Sequence, residues 1–193
     1  MSRENPFSTK FVRPGALPYQ LRQGQDLETL LVRFESIGRA GQIVGPHGSG
    51  KSTLLADMIR LWEERLERVV LIELHDDQRR LPIRFSEFCD SEAPTLIAVD
   101  GYEQLGHGSR NSLRRFCRRH GIGLVVTTHQ SMDIPDLVRC MPGLALVEDL
   151  VRQLLQGEAE CISSDDIRRA FHRHGGNIRE VLFEMYDLFE CGS

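Results

Sequence analysis

Eight consecutive residues carry the clearest chemical signal in this chain: from Gly45 to Ser52 the sequence reads GPHGSGKS. It matches the pattern GxxxxGK followed by Ser or Thr at every fixed position, directly after a short apolar run and directly before a helical pattern. The glycines let the backbone curl so that its N–H groups face inward, and the following helix adds the positive end of its dipole. The pattern therefore predicts a loop that cradles a pyrophosphate.

The residue types in this loop predict which atoms meet the ligand. Lys51 would reach the β- and γ-phosphates, while the Ser52 hydroxyl would ligate Mg²⁺. We therefore expect ATP and Mg²⁺ to bind here. The expected nucleotide-binding residues are consecutive: Gly45, Pro46, His47, Gly48, Ser49, Gly50, Lys51, Ser52 and Thr53.

A second apolar run ends in a carboxylate. Residues 96–99 read LIAV and are followed by Asp100, which would hold the water shell of Mg²⁺ from the end of a buried strand. Hydrolysis also needs a group that polarises the attacking water, and two glutamates compete for that role. Glu103 follows shortly after Asp100, whereas Glu73 ends the preceding apolar run. We favour Glu103 because it follows the metal carboxylate; its alternative interpretation is a solvated acid at a helix cap.

Alternating apolar and helical segments would position these residues. Short apolar runs at 42–44, 69–74, 95–99, 122–127 and 144–147 predict strands, and helical spacing is present at 26–38, 54–66 and 109–120. Short buried strands separated by helices are typical of a parallel sheet covered on both faces. The predicted fold class is α/β, a three-layer arrangement around a central parallel sheet of about five strands.

The last part of the chain reads as helix only. Ser163 with Asp166 resembles a capping box, and the pair Gly175-Gly176 separates two helical patterns. Near the start of the chain, Pro and Gly residues prevent a long helix. We expect an extended N-terminal arm over residues 1–25, a P-loop ATPase core over 26–150 and a small C-terminal helical lid over 151–193.

Composition restricts the class of protein. The 193 residues are 40% hydrophobic and 27% charged, which is typical of a globular chain and not of a disordered or fibrous one. No apolar stretch approaches the roughly 18 residues of a membrane span. The first residues also lack the apolar core of a secretory signal. We expect a cytoplasmic protein without a membrane span.

The predicted helix after Asp100 is unusually basic. Arg110, Arg114 and Arg118 recur every four residues, and Arg115 and Arg119 widen this stripe. The stripe could meet an acidic protein surface or a nucleic-acid backbone, and its alternative is a solvated face. Because the formal net charge of the chain is −4, we place a nucleic acid second to an unidentified protein partner.

Together these residues resemble the additional-strand P-loop ATPases, the division that includes AAA+, ABC and RecA-like proteins. In that division a strand ending in a polar sensor lies between the phosphate-loop strand and the Asp strand. Residues 123–129, which read GLVVTTH, look like that strand. The resemblance implies that Thr128 or His129 faces the γ-phosphate, and that Glu73 occupies the position of the catalytic glutamate in RecA-like enzymes.

The resemblance is greatest to the AAA+ type, although the phosphate loop and the VVTTH segment also look locally like an ABC ATPase. The segment 134–139 reads as a short helix, and residues 136–140 resemble an arginine-finger segment, so Arg139 would serve a neighbouring subunit. Residues 176–180, which read GNIRE, resemble the lid motif and imply a sensor role for Arg179. Two features differ from the family: the acids after the Asp strand read DGYE in place of DE, and the lid is short.

The expected function is that of an ATP-binding protein that hydrolyses ATP to ADP and phosphate as a molecular switch or assembly factor, in a homo-oligomer. Three alternatives stay open. An ABC-type ATPase subunit would need an LSGGQ-like signature, which the sequence lacks. A small-molecule or nucleotide kinase would need an Arg-rich lid, for which residues 78–84 are the candidate. A non-hydrolysing nucleotide-gated interaction module would keep Lys51 and lack a working base.

Overall fold

The structure is a computed structural model that describes residues 5–13, 15, 17–21, 25–75, 78–88, 93–155 and 162–192. The chain divides into two compact units. The sheet unit comprises Leu21–Gly45 and Leu54–Arg139, and the helical unit comprises Met1–Gln20, Pro46–Thr53 and Cys140–Ser193.

A five-stranded sheet forms the centre of the sheet unit. The strands are β1 (Ala40–Val44), β2 (Val69–Glu73), β3 (Leu96–Asp100), β4 (Gly123–Thr128) and β5 (Asp136–Arg139). Their order is β2-β3-β4-β1-β5, and every neighbouring pair is parallel. The predicted α/β class with a parallel sheet is confirmed, and β4 lies between β1 and β3, where the resemblance placed the sensor strand.

Helices cover both faces of this sheet. Ile97 and Val99 of β3 pack in one apolar cluster with Leu113 and Cys117 of α4 (His107–His120). On the other face, Phe34 of α2 (Leu27–Ser36) closely approaches Gly41 of β1. Phe34 also contacts the ring of Trp62 in α3 (Lys51–Glu64), with centroids 5.1 Å apart. The three layers bury residues 96–99 of β3 and all of β4, whereas Leu71 of the edge strand β2 is exposed.

One strand prediction was wrong. Residues 144–147 begin a helix, α5 (Leu144–Leu155), and the fifth strand is β5, in the segment predicted to be a short helix. The reason lies in the longer pattern: Val147, Val151, Leu154 and Leu155 are buried at helical spacing. In contrast, Asp136–Arg139 has only two apolar residues between two charged ones, and only Leu137 is buried along this edge strand.

The helical unit has a core of its own. Besides α5 it contains α1 (Thr9–Val12), α6 (Ser164–Arg173) and α7 (Ile178–Gly192). Phe7, from the N-terminal segment, is fully buried in the cluster that α5, α6 and α7 form. The predicted capping box is confirmed at the start of α6, because the Ser163 side chain accepts from the Asp166 N–H and the Asp166 side chain from the Ser163 N–H. None of the helices among the described residues is long and apolar enough to cross a bilayer.

Candidate functional site

The phosphate-loop segment leaves the carboxyl end of β1 and leads into α3, which begins at Lys51. Gly48 and Gly50 have φ values of +65° and +85°, in the left-handed region that favours glycine. A Cβ on Gly48 would lie 1.7 Å from Asn177 Oδ1, and a Cβ on Gly50 would lie 2.9 Å from the Tyr19 ring. Glycine is therefore favoured at both positions: Gly50 is a fixed residue of the motif, whereas Gly48 occupies one of its variable positions.

Two side chains make this loop suited to an anion. Lys51 is only 8% exposed, and its Nζ donates to the Pro46 carbonyl oxygen at 2.7 Å. Ser49 is 1% exposed, and its Oγ has no hydrogen-bond partner among the described residues. A buried hydroxyl without a partner carries a free-energy cost that a ligand oxygen could relieve. The loop therefore holds a buried cation and an unsatisfied polar group within one turn of chain, which fits a phosphate.

The beginning of α7 contacts this loop within the helical unit. The Ile178 N–H donates to the Gly48 carbonyl oxygen at 3.1 Å. Asn177 caps α7, because its Oδ1 accepts from the Glu180 N–H at 3.4 Å. Arg179, the expected sensor residue, is exposed on the first turn of α7. The predicted lid motif is therefore in contact with the phosphate loop through its backbone and its capping asparagine.

In the sheet unit, Asp100 lies at the carboxyl end of β3 beside a threonine of β4. Thr127 Oγ1 donates to Asp100 Oδ1 at 2.5 Å and accepts from the Gly101 N–H at 2.9 Å. Thr127 is 1% exposed, so this hydroxyl fixes the orientation of the carboxylate. A carboxylate oxygen is a ligand that Mg²⁺ prefers. Among the described residues, no group of three or more His, Cys, Asp or Glu side chains could hold a metal ion. The motif assigns a single carboxylate, that of Asp100, to Mg²⁺.

The two candidate bases differ in their surroundings. Glu103 Oε1 lies 2.9 Å from His129 Nδ1, whereas Glu103 Oε2 is buried with no hydrogen-bond partner in the part of the chain that the structure describes. Arg110 Nη2 donates to the Glu103 carbonyl oxygen at 2.7 Å, which fixes the backbone here. Glu73 is exposed at the end of β2, where it is aligned with Asp100 of β3. The structure thus brings Glu103 and His129 together and leaves the Glu73 side chain in solvent.

The Thr128 hydroxyl forms a hydrogen bond with a buried side chain of the neighbouring strand. Its Oγ1 donates to Gln42 Oε1 at 3.1 Å, and Gln42 is fully buried. Gln42 Nε2 donates in turn to Ile134 O at 2.5 Å and to Asp136 Oδ1 at 2.8 Å, which joins β1 to the start of β5. Successive strand residues face opposite sides, so Thr127 and Thr128 have different environments.

Arg139 is the last residue of β5, and its side chain contacts two other residues of the sheet unit. Its Nη2 lies 2.6 Å from Asp136 Oδ2 and donates to Ser131 Oγ at 2.7 Å, while 62% of the side chain is exposed. The ion pair holds the guanidinium along its own strand end.

Sequence reasoning missed Thr127 and Gln42. Each is a polar residue inside an otherwise apolar strand, and a buried polar residue needs a hydrogen-bond partner. That signal marks both positions as candidates, but the partner of each depends on which strands are neighbours.

Comparison with known proteins gives little further information. No family model matches the chain, and no curated protein matches it. The solution structure of protein NMB1076 from Neisseria meningitidis is 23% identical over 58% of this chain and 73% of that chain, with a TM-score of 0.35. The structure of C. elegans PCH-2 is 14% identical over 72% of this chain, with a TM-score of 0.39. The chain spans about half the length of PCH-2, 49%, and at these TM-scores neither likeness assigns a family or a function.

Proposed function

We propose that this protein binds MgATP through residues 45–53 and hydrolyses it to ADP and phosphate, as a molecular switch or assembly factor. The observation that carries the proposal is the loop itself: the motif follows the carboxyl end of a parallel strand, buries Lys51, and contains the unsatisfied hydroxyl of Ser49. Backbone N–H groups and a lysine are the groups that bind nucleotide phosphates in loops of this pattern.

The metal-binding roles rest on the sequence motif. Ser52 would contribute a hydroxyl oxygen and Asp100 a carboxylate, and hard oxygen ligands fit Mg²⁺. When bound, Mg²⁺ would neutralise charge on the phosphate oxygens. The orientation of Asp100 by Thr127 supports its role, because ligating carboxylates are commonly fixed by further hydrogen bonds.

Hydrolysis needs an acceptor for one proton. A water oxygen would attack the γ-phosphorus, the bond between this phosphorus and the β–γ bridging oxygen would break, and ADP would leave. The proton that the water loses would pass to a carboxylate. Glu103 is the better candidate, since its buried Oε2 has no partner among the described residues and His129 holds Oε1.

Arg139 and Arg179 keep catalytic roles as part of the proposal. Arg139 would act in the site of a neighbouring copy, for which it must leave Asp136 and Ser131. Mixing Arg139→Ala chains with Lys51→Ala chains, each inactive alone, should recover partial turnover if one chain completes the site of the other. If Arg139→Ala is as active as the parent, the trans-acting role is excluded.

Phosphate release tests the enzymatic part of the proposal. The parent protein with MgATP should release inorganic phosphate slowly, and Lys51→Ala should release none. A parallel assay with sugars, nucleoside monophosphates and small amines as phosphoryl acceptors separates hydrolysis from kinase activity. Phosphorylation of an acceptor would reassign the protein as a kinase. Binding of ATP without phosphate release to any acceptor or to water would reassign it as a nucleotide-gated interaction module.

A further inference from the structure

Helix α4 presents a basic surface that the proposed ATPase activity does not use. Its fourteen residues include five arginines and two histidines, and no aspartate or glutamate. Arg114, Arg115, Arg118 and Arg119 are exposed, whereas Leu113 and Cys117 on the opposite arc are buried. We call these four exposed arginines the α4 arginine face.

No ion pair neutralises this face within the described residues. None of its four arginines has a carboxylate within salt-bridge distance there, and the interaction of Arg114 with Tyr102 does not neutralise its charge. On α6 the situation is different, because Arg168 lies 2.9 Å from Asp165, and Arg169 lies 2.5 Å from Asp166. The four charges of the α4 arginine face therefore remain available to an external anion.

A neighbouring segment brings two more exposed arginines to the amino end of α4. The Arg79 carbonyl oxygen accepts from the Gly106 N–H at 3.0 Å and from Ser109 Oγ at 3.1 Å, which fixes this segment against the start of the helix. Arg79 and Arg80 are both exposed. Two further guanidinium side chains thus begin close to the amino end of α4.

The chemistry of this surface favours a nucleic acid over an acidic protein. Protein interfaces have cores enriched in aromatic residues and Met as well as Arg, and the exposed residues of α4 include no Met, Phe, Tyr or Trp beside the arginines. The exposed residues of α4 are instead Arg, His, Asn, Ser and Gly, which include donors that bind phosphate oxygens in nucleic-acid complexes. The net charge of −4 does not oppose this, because at about 0.1 M salt charges beyond about 10 Å are largely screened.

We propose that the α4 arginine face binds the phosphate backbone of a nucleic acid without regard to base sequence. The basis is the set of exposed arginines without a carboxylate partner among the described residues, together with the absence of exposed apolar and acidic residues on this described helix. The proposal does not depend on ATP binding, so it stands or falls separately from the ATPase activity.

Fluorescence anisotropy with labelled mixed-sequence duplex DNA, single-stranded DNA and RNA tests the proposal. If four arginines each neutralise one phosphate, the logarithm of the binding constant of duplex DNA should fall with the logarithm of salt concentration with a slope of about −3.6. Arg114→Ala/Arg118→Ala should reduce the steepness of that slope by about 2 and lower the affinity at low salt. The three probes identify which nucleic acid the surface prefers.

The matched control is Arg168→Ala/Arg169→Ala. It changes the net charge by the same amount but removes arginines that already have carboxylate partners, so nucleic-acid affinity should stay at the parent value. Melting temperatures of both variants verify that the fold is retained. Equal loss of affinity in both variants, or no binding of any of the three probes by the parent, would overturn the proposal. So would binding of labelled polyglutamate in preference to all three nucleic acids, which would assign the face to an acidic protein.

Discussion

The phosphate loop and the carboxyl ends of β3 and β4 hold groups of opposite character. Residues 45–53 offer backbone N–H groups, a buried lysine and hydroxyls. The ends of the two strands and the residues just after them offer the carboxylates of Asp100 and Glu103, fixed by Thr127 and His129. Donors therefore gather where phosphates would bind, and acceptors gather where a metal or a proton would bind. Substitutions in the loop should therefore change nucleotide binding, whereas substitutions at Glu103 should change turnover.

Among substitutions at the ends of β3 and β4, the largest effect should come from Glu103→Gln. The amide keeps the shape of the side chain but cannot accept a proton from the attacking water, so turnover should fall about 10²- to 10⁴-fold. The affinity for ATP should not change, because Glu103 lies outside the binding loop. Phosphate-release rates and a nucleotide-binding isotherm measure the two quantities separately.

Glu73→Gln is the matched control, since Glu73 is exposed at the end of β2. Its turnover should equal that of the parent. If Glu73→Gln abolishes turnover and Glu103→Gln does not, the catalytic base is Glu73 at the end of β2.

A smaller effect is expected from Thr127→Val. Valine has a similar volume but cannot bridge Asp100 and the Gly101 N–H, so the carboxylate loses its fixed orientation. Loss of such a supporting hydrogen bond typically lowers metal affinity or activity about 10- to 100-fold. A titration of turnover against Mg²⁺ concentration should shift to higher concentrations.

Thr128→Val separates orientation of the carboxylate from general stability. Its hydroxyl donates to buried Gln42, so the substitution should lower the melting temperature and leave the Mg²⁺ dependence unchanged. An equal shift of the Mg²⁺ titration in both variants would show that the two threonines do not have distinct roles.

Substitution of Gly48 in the phosphate loop should act mainly through the backbone conformation that this position requires. In Gly48→Ala a Cβ would meet Asn177, and a non-glycine residue in the left-handed region costs roughly 1–2 kcal/mol. The free energy of unfolding should fall by at least this amount, and ATP binding should weaken. Gly108→Ala is the control, because Gly108 lies in the first turn of α4 with no atom outside the local helix backbone within 4 Å of its Cβ position, and it should be neutral or slightly stabilising. Denaturant unfolding measures both, and equal destabilisation would contradict the proposed need for glycine at position 48.

The sequence predicted those features that lie within one short segment. The phosphate loop has all its fixed residues within eight positions, and the capping box of Ser163 and Asp166 depends on two residues one turn apart. The strand and helix of residues 136–147 were interchanged because four residues are too few to show a period. In the structure, residues 136–139 form a strand because they pair with β1.

Features that depend on neighbouring strands could not be predicted in the same way. Thr127 acts on Asp100 only because β4 lies beside β3, and Gln42 reaches Thr128 only because β1 lies beside β4. The resemblance suggested that strand order but named Thr128 and His129 as the polar residues of β4. Whether the α4 arginine face has carboxylate partners likewise depends on which described acids lie nearby in space, and spacing along the chain does not contain that information.

The most direct test of nucleotide binding is the change in melting temperature when MgATP is added. Ligand at about 100 times its dissociation constant should stabilise the parent by roughly 2.7 kcal/mol. Lys10→Ala, which removes the only other lysine of the chain, at an exposed position, should show the same shift as the parent. Lys51→Ala should show none, because it removes the one lysine of the loop. An equal MgATP-induced shift in Lys51→Ala and the parent would contradict the assignment of residues 45–53 as the ATP-binding loop.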